Sequence, residues 1–270
     1  MSDQRSYFVR VDDRTFRATE LTAGAWSTTE QHISPMMGLV VHAIDEHVAE
    51  RSRASGARDQ MVLSRLSVDI LGVVGIDEFD LHVETIRPGR TVELLEAVVT
   101  WRGRAVVRAR AWRVLAFDTS QIAGGAPEPM PHPDSISASD DPLLNLTWPG
   151  EFIASVEARY VESPEPGRGR AWLRSDVRLV AEEEVGPVAD FLKLVDVSNG
   201  IAVRASPKEW LFPNLDLTLH LHRQPAGEWL GFDTEVMFGS SGQGLTSSVL
   251  HDADGPVGRV EQSLTIRPNG

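Results

Sequence analysis

Phe191-Leu192-Lys193-Leu194-Val195-Asp196-Val197-Ser198-Asn199-Gly200 is the run that decides how the rest of this 270-residue chain is read. Together with Val188, its apolar positions Phe191, Leu192, Leu194, Val195 and Val197 cover more than one helical face, the pattern of a helix buried all round. Gly200 can take the left-handed conformation that closes a helix. A carboxylate near the buried end of such a helix is costly unless it is paired, hydrogen-bonded or at work. Asp196 is therefore the first candidate for chemistry.

A second rod lies upstream. Ser34 is a good N-cap and Pro35 a good first helical residue. From there Met36, Met37, Leu39, Val40, Val41, Ala43, Ile44 and Val48 predict a helix apolar on most sides, fraying into solvent at Glu50-Arg51-Ser52-Arg53. Strand patterns surround this rod. Residues 7–11 and 15–19 are short strand-like runs joined by Asp12-Asp13. Leu66, Val68 and Ile70 alternate with Ser67 and Asp69, and Phe79, Leu81 and Val83 alternate with Asp80, His82 and Glu84. Arg87-Pro88-Gly89-Arg90 suits a type II turn into a long strand over 91–101, which Arg102-Gly103 turns back into 104–115.

Composition then shifts. Residues 118–150 hold six of the chain's 16 prolines, with Gly124-Gly125 and many Ser and Asp, which predicts an extended linker. The programme repeats beyond it. Strand-like runs over 152–160 and 170–179 precede the helix at 187–200, and further runs cover 214–222, 228–238, 244–251 and 257–267. Asp254-Gly255 supplies a hairpin turn. Laying Gly103 on Gly255 sets Val106, Trp112 and Val114 over Gly258, Leu264 and Ile266, and Asp45 falls within one residue of Asp196. This predicts a duplicated α+β chain, each half a central helix wrapped by an antiparallel sheet.

Composition narrows the function. The chain has no cysteine, which excludes disulfides, thiolate zinc sites and cysteine nucleophiles. A formal charge of −13 disfavours nucleic acid and anionic membranes as partners. The first residues form no hydrophobic signal segment and no apolar run is long enough to span a bilayer, so a cytoplasmic location is expected. Gly239-Ser240-Ser241-Gly242 is one residue short of a serine-hydrolase elbow, and Ser240-Ser241-Gly242-Gln243-Gly244 lacks the Lys and helix of a phosphate loop. His220 and His222, at i and i+2, could present two metal ligands, but no third stands nearby.

The last strand gives a positive signal. Val260, Leu264 and Ile266 share one face, and Gln262 falls among them. A buried amide left unpaired costs on the order of 1–3 kcal/mol, so Gln262 needs a partner, and Asp196 is the obvious one. A purely structural helix–sheet hydrogen bond is the other reading of that pair.

The chain resembles the TesB-like acyl-CoA thioesterases over residues 6–268. The resemblance rests on Arg65-Leu66-Ser67-Val68-Asp69-Ile70-Leu71-Gly72, Arg87-Pro88-Gly89-Arg90, Glu209-Trp210-Leu211-Phe212, and Asp216-Leu217-Thr218-Leu219-His220-Leu221-His222-Arg223. The C-terminal Asp254-Gly255-Pro256-Val257-Gly258-Arg259 through Gln262-Ser263-Leu264 is similar again. It implies a double hotdog: an architectural N-terminal half at 1–117, the linker at 118–150, and a catalytic C-terminal half at 151–270. The implied activity is hydrolysis of acyl-CoA thioesters without metal or redox cofactor. The implied partners are an acyl-CoA substrate, with room for a homo-oligomer of such chains. In the family a carboxylate, a Thr and a Gln make the hydrolytic site. Carried onto this chain, those positions are Asp196, Asn214 and Gln262, with Asn214 a departure from Thr. Relatives often carry His-Gly-Gly at the first helix start, where this chain has His32-Ile33-Ser34.

The departure keeps open a non-catalytic acyl-CoA binder with a degenerate site. A hydratase on the same fold is disfavoured, because no Asp–His pair follows Asp196. The repeat sets Arg110 and Arg65 where the second half has Gln262 and Asn214, so arginines are expected to neutralise Asp45 while amides leave Asp196 charged. Alternation also sets Asn214 on the face opposite Leu215, Leu217, Leu219 and Leu221. Asn214 then reaches the helix only through a bulge or twist, or serves at the interface of the halves.

Overall fold

The computed structural model describes residues 5–56, 58–137 and 147–269; residues 138–146 of the expected linker lie outside them. The first half supplies β1 (Ser6–Arg10), β2 (Thr15–Ala18), helix α1 (Ile33–Ser55), β3 (Met61–Ile70), β4 (Glu78–Arg87), β5 (Val92–Trp101) and β6 (Arg104–Leu115). The second supplies α2 (Glu151–Ala154), β7 (Glu157–Tyr160), β8 (Arg168–Arg174), β9 (Arg178–Val180), α3 (Pro187–Leu192) and α4 (Ser198–Ile201). It continues through β10 (Trp210–Leu211), β11 (Asp216–Leu221), β12 (Leu230–Phe238), β13 (Gln243–Asp252), β14 (Gly255–Thr265) and β15 (Arg267–Pro268).

Thirteen strands form one sheet in the order β7-β8-β12-β13-β14-β11-β3-β6-β5-β4-β2-β1-β9, while β10 and β15 pair separately. Each half's meander is joined to the other's through β3 and β11, where Val68 stands opposite Leu217 and Leu66 opposite Leu219. All four are buried on the helix side. Among the described residues every strand pairing is antiparallel except β1 with β9. That exception curls the sheet: β8 lies near one end and β9 forms the other, yet only residues 175–177 separate them. Four residue steps reach at most about 14 Å, so the two ends must meet around the helices. Tyr7 staples this seam through its hydroxyl, 2.7 Å from Ser155 Oγ and 2.9 Å from Ser175 Oγ.

Inside lie α1 and α3. Met36, Met37, Leu39, Val40 and Ile44 are all at most 2% exposed, as a wrapped rod requires. The cap is His32, two residues earlier than Ser34, and α1 runs through the expected fraying point to Ser55 and a left-handed Gly56 at φ 68°. Gly38 sits where the helices cross. A Cβ there would lie 2.6 Å from Ala189 O and 3.0 Å from Lys193 Cβ.

The predicted helix at 187–200 is not one rod. It breaks into α3, a 3₁₀ turn at Val195–Val197, and α4. The Asp196 N–H donates to Ser34 Oγ at 3.0 Å, so the backbone donor that would continue the helix is taken by α1. Gly200 is not a left-handed cap but lies within α4. Its missing Cβ admits Trp148, whose Nε1 donates to Gly200 O at 3.3 Å. Residues 152–154, expected in a strand, belong instead to α2. No helix among the described residues is long and apolar enough to cross a membrane.

Candidate active site

The helix break turns Asp196 toward the sheet of its own half. Asp196 is 5% exposed, and its Oδ1 accepts from Asn214 Nδ2 and Gln262 Nε2, each at 2.7 Å. Both amides thus load the same oxygen, and Oδ2 accepts from no protein donor among the described residues. Burial pushes the carboxyl up to about 7, against the pull of the two amides. No ion pair forms there among the described residues. Lys193, three residues earlier, is turned away onto Val177 O at 2.9 Å and Asp190 Oδ1 at 2.7 Å.

Each partner is positioned by its strand. Gln262 is fully buried on β14, where its Oε1 accepts from Ser198 Oγ at 2.7 Å. Asn214 stands ahead of β11, bridged to Leu264. Strand alternation stops there: Leu215 is 52% exposed and does not pack on the helix with Leu217 and Leu219. With β11 beginning only at Asp216, the Asn214 side chain is free to turn inward. Of the two ways left open by strand alternation, the structure takes the first in effect: the regular strand stops short of Asn214, and its side chain meets Asp196.

Beside the carboxylate is a cavity of about 370 Å³ drawn from both halves. Ile33, Leu71, Val73, Trp26, Trp148 and Val197 give it an apolar wall, and among the described residues Glu30 and Asp196 are the acids that line it. Trp26 and Trp148 meet edge to face at 4.7 Å, and Trp26 meets Phe212 at 5.1 Å. Close contact of two backbones seats Trp148. Gly150, at φ 116°, would put a Cβ 2.3 Å from Ala23 O.

The N-terminus of α1, with its partial positive charge, also faces this cavity through His32 and Ile33. His32 Nδ1 accepts from Ser34 N at 3.1 Å, and burial pushes the imidazole down to about 3. The ring is thus neutral near pH 7, with its proton on Nε2. Sequence reasoning missed Ser34, Ser198 and Trp148. Each acts through a contact between segments far apart in the chain, for which no local pattern exists.

The first half is arranged differently from expectation. Arg110 does not neutralise Asp45: its Nε donates to Glu96 Oε1 at 2.9 Å, and Arg65 Nε is buried without a partner among the described residues. Glu96, on the neighbouring strand, is simply nearer. Asp45 is exposed beside the start of α3, where a Gly186 Cβ would lie 3.2 Å from Oδ2. Close by, Arg10 clamps Glu46 at 2.7 Å and Glu183 at 2.6 Å, with His42 Nε2 2.9 Å from Glu183. His42, Glu46 and Glu183 approach within 4.8 Å, but Arg10 already supplies their positive charge. His220 and His222 are exposed and do not line the cavity.

Residues 22–114 match the family of acyl-CoA thioesterase N-terminal domains, and residues 123–266 match that of acyl-CoA thioesterase C-terminal domains. Solved structures agree in fold. A hot-dog-fold protein from Alicyclobacillus acidocaldarius superposes with a TM-score of 0.73 at 12% identity, covering 98% of this chain and 97% of its own. A tesB protein from Mycobacterium avium subs paratuberculosis gives 0.66 at 17% identity, over 97% and 96% of the two chains. An acyl-CoA thioesterase II, TesB2, from Mycobacterium marinum gives 0.61 at 15%, over 97% and 96%. No curated protein matches by sequence.

Proposed function

We propose that this chain, which belongs to the acyl-CoA thioesterase family, hydrolyses acyl-CoA to a free acid and CoA at the Asp196–Asn214–Gln262 constellation. The observation that carries this reading is the carboxylate itself: buried, un-neutralised, with one oxygen held by two amides and the other left open. Asp196 Oδ2 takes a proton from water as the water oxygen bonds to the thioester carbonyl carbon. The tetrahedral intermediate collapses by breaking the C–S bond, and the proton passes from Asp196 to the departing sulfur. Asn214 and Gln262 hold the carboxylate in place and limit the rise of its pKa.

The carbonyl oxygen gains negative charge in this sequence. The Asp196 N–H is occupied by Ser34 and is not the donor that meets it. The first turn of α1 and the His32 Nε2–H, both on cavity-lining residues, supply that role. Asn214 donates at 2.7 Å, as a hydroxyl at its position would, which favours turnover over a silent binding site. We divide the chain accordingly into hotdog halves at 1–117 and 151–270, joined by 118–150, with chemistry in the second and with Ser34 and part of the cavity wall contributed by the first.

The test is thiol release from a panel of acyl-CoA esters, with Gln262→Met beside wild type. Loss of most turnover in the variant supports the reading. Tight acyl-CoA binding without turnover by wild type, at every chain length, contradicts it. The apolar wall gives a second expectation. Trp148→Ala opens the cavity beside the acyl group and shifts kcat/KM toward bulkier or longer acyl chains by about tenfold relative to short ones. An unchanged chain-length ranking across the panel would place the acyl group elsewhere.

A further inference from the structure

We infer that Ser198 is a positioning residue that holds the Asp196 carboxylate through the amide of Gln262. This rests on the functional reading above, and its test separates the two.

Three groups form one chain of donors. Ser198 Oγ donates to Gln262 Oε1 at 2.7 Å, and Gln262 Nε2 donates to Asp196 Oδ1 at 2.7 Å. Ser198 and Gln262 are fully buried, so water cannot replace either contact. An ionised carboxylate can only accept, so it takes the N–H end of the amide and sends the carbonyl to the other side. There the donor that meets it is the Ser198 hydroxyl. Bonds arranged head to tail polarise one another by roughly 10–30% each, so a hydroxyl on Oε1 strengthens the bond from Nε2 to the carboxylate. Ser198 and Asp196 are two residues apart on one tight turn, which grips the β14 amide from both sides.

Without that hydroxyl the amide has somewhere else to go. Thr246 stands directly opposite Gln262 on β13, and its buried Oγ1 has no partner among the described residues. Opposed residues on neighbouring strands have Cβ atoms about 4.5–5.5 Å apart, within reach of a swinging amide. Ser198→Ala thus weakens or withdraws a donor from Asp196 and favours its protonated form. The other titratable groups around the carboxylate are His32 at the end of α1, Glu30 in the cavity wall, and Lys193 on the α3 side, held by Val177 and Asp190.

The experiment is a double-mutant cycle read in the pH dependence of kcat/KM for acyl-CoA hydrolysis. Ser198→Ala should move the acid limb up by about half a pH unit or more. Ser198→Thr, which keeps the hydroxyl, should restore it. In a Gln262→Met background the limb already lies higher, and adding Ser198→Ala should move it no further. A limb unmoved by Ser198→Ala, or one moved equally with and without Gln262, overturns the inference. Those results leave Asp196 as base untouched, whereas full activity in Asp196→Asn would sink the functional reading itself.

Discussion

Asp196→Asn lowers kcat for acyl-CoA hydrolysis about 10²–10⁴-fold, the usual contribution of a positioned base, while the protein stays folded. The exchange is nearly isosteric. The new amide oxygen can still accept from Asn214 Nδ2 and Gln262 Nε2, both now 2.7 Å from Oδ1. What is lost is the oxygen that could take a proton from water. Stability should move the other way. The folded-state pKa of Asp196 is raised to about 7 from 3.8, so between those values the native state binds more protons than the unfolded chain. Its contribution to stability therefore falls as pH rises from about 4 to about 7, and the penalty is in full force above that. Asn carries no such penalty, so at pH 8 the variant should melt no lower than wild type. Thiol release and thermal melts of the two proteins check both halves, and a variant within threefold of wild-type kcat would remove Asp196 from the chemistry.

Gly38→Val should destabilise the protein by about 1–3 kcal/mol or more and lower the Tm by several degrees. Glycine inside a helix costs about 1 kcal/mol relative to alanine, so its place in α1 has to be explained by contact. The contact is the backbone of α3, with Ala189 O 2.6 Å from the site of a Cβ. Backbone cannot swing aside as a side chain can, so α3 must move. Asp196 follows α3 by four residues, and Ser34, which holds its N–H, precedes Gly38 by one helical turn. The displacement is therefore felt in the site, and kcat should fall with the Tm. A Val variant with wild-type Tm and kcat would show that the helices have slack at this crossing.

The parts of the fold that follow from local pattern were legible. Periodicity placed α1, and alternation placed β3 to β6 and β11 to β14, because each buries one face against a rod. Gln262 stood out as an amide among apolar neighbours, and Asp196 as a charge in a buried run. Other features depend on partners far away in sequence. The break within 187–200 exists because Ser34, from the opposite half, captures a backbone N–H. The repeat alone sets Arg110 toward Asp45, yet Glu96 lies beside it on the adjacent strand. Alternation alone leaves the facing of Asn214 open, because the end of regular pairing at Asp216 has no local signal. Trp148 sits in a proline-rich stretch that reads as linker, although its indole lines the cavity and bonds to Gly200.

The central claim is that an acid without a cationic partner, held by two amides, acts in its ionised form. The most direct measurement is kcat/KM for acyl-CoA hydrolysis from about pH 5 to pH 9, followed by CoA release. The prediction is a limb that falls tenfold per pH unit on the acid side, with its midpoint near 7, where burial holds Asp196. A rate that stays level down to pH 5 would contradict it, since a base protonated through that range could not sustain the reaction.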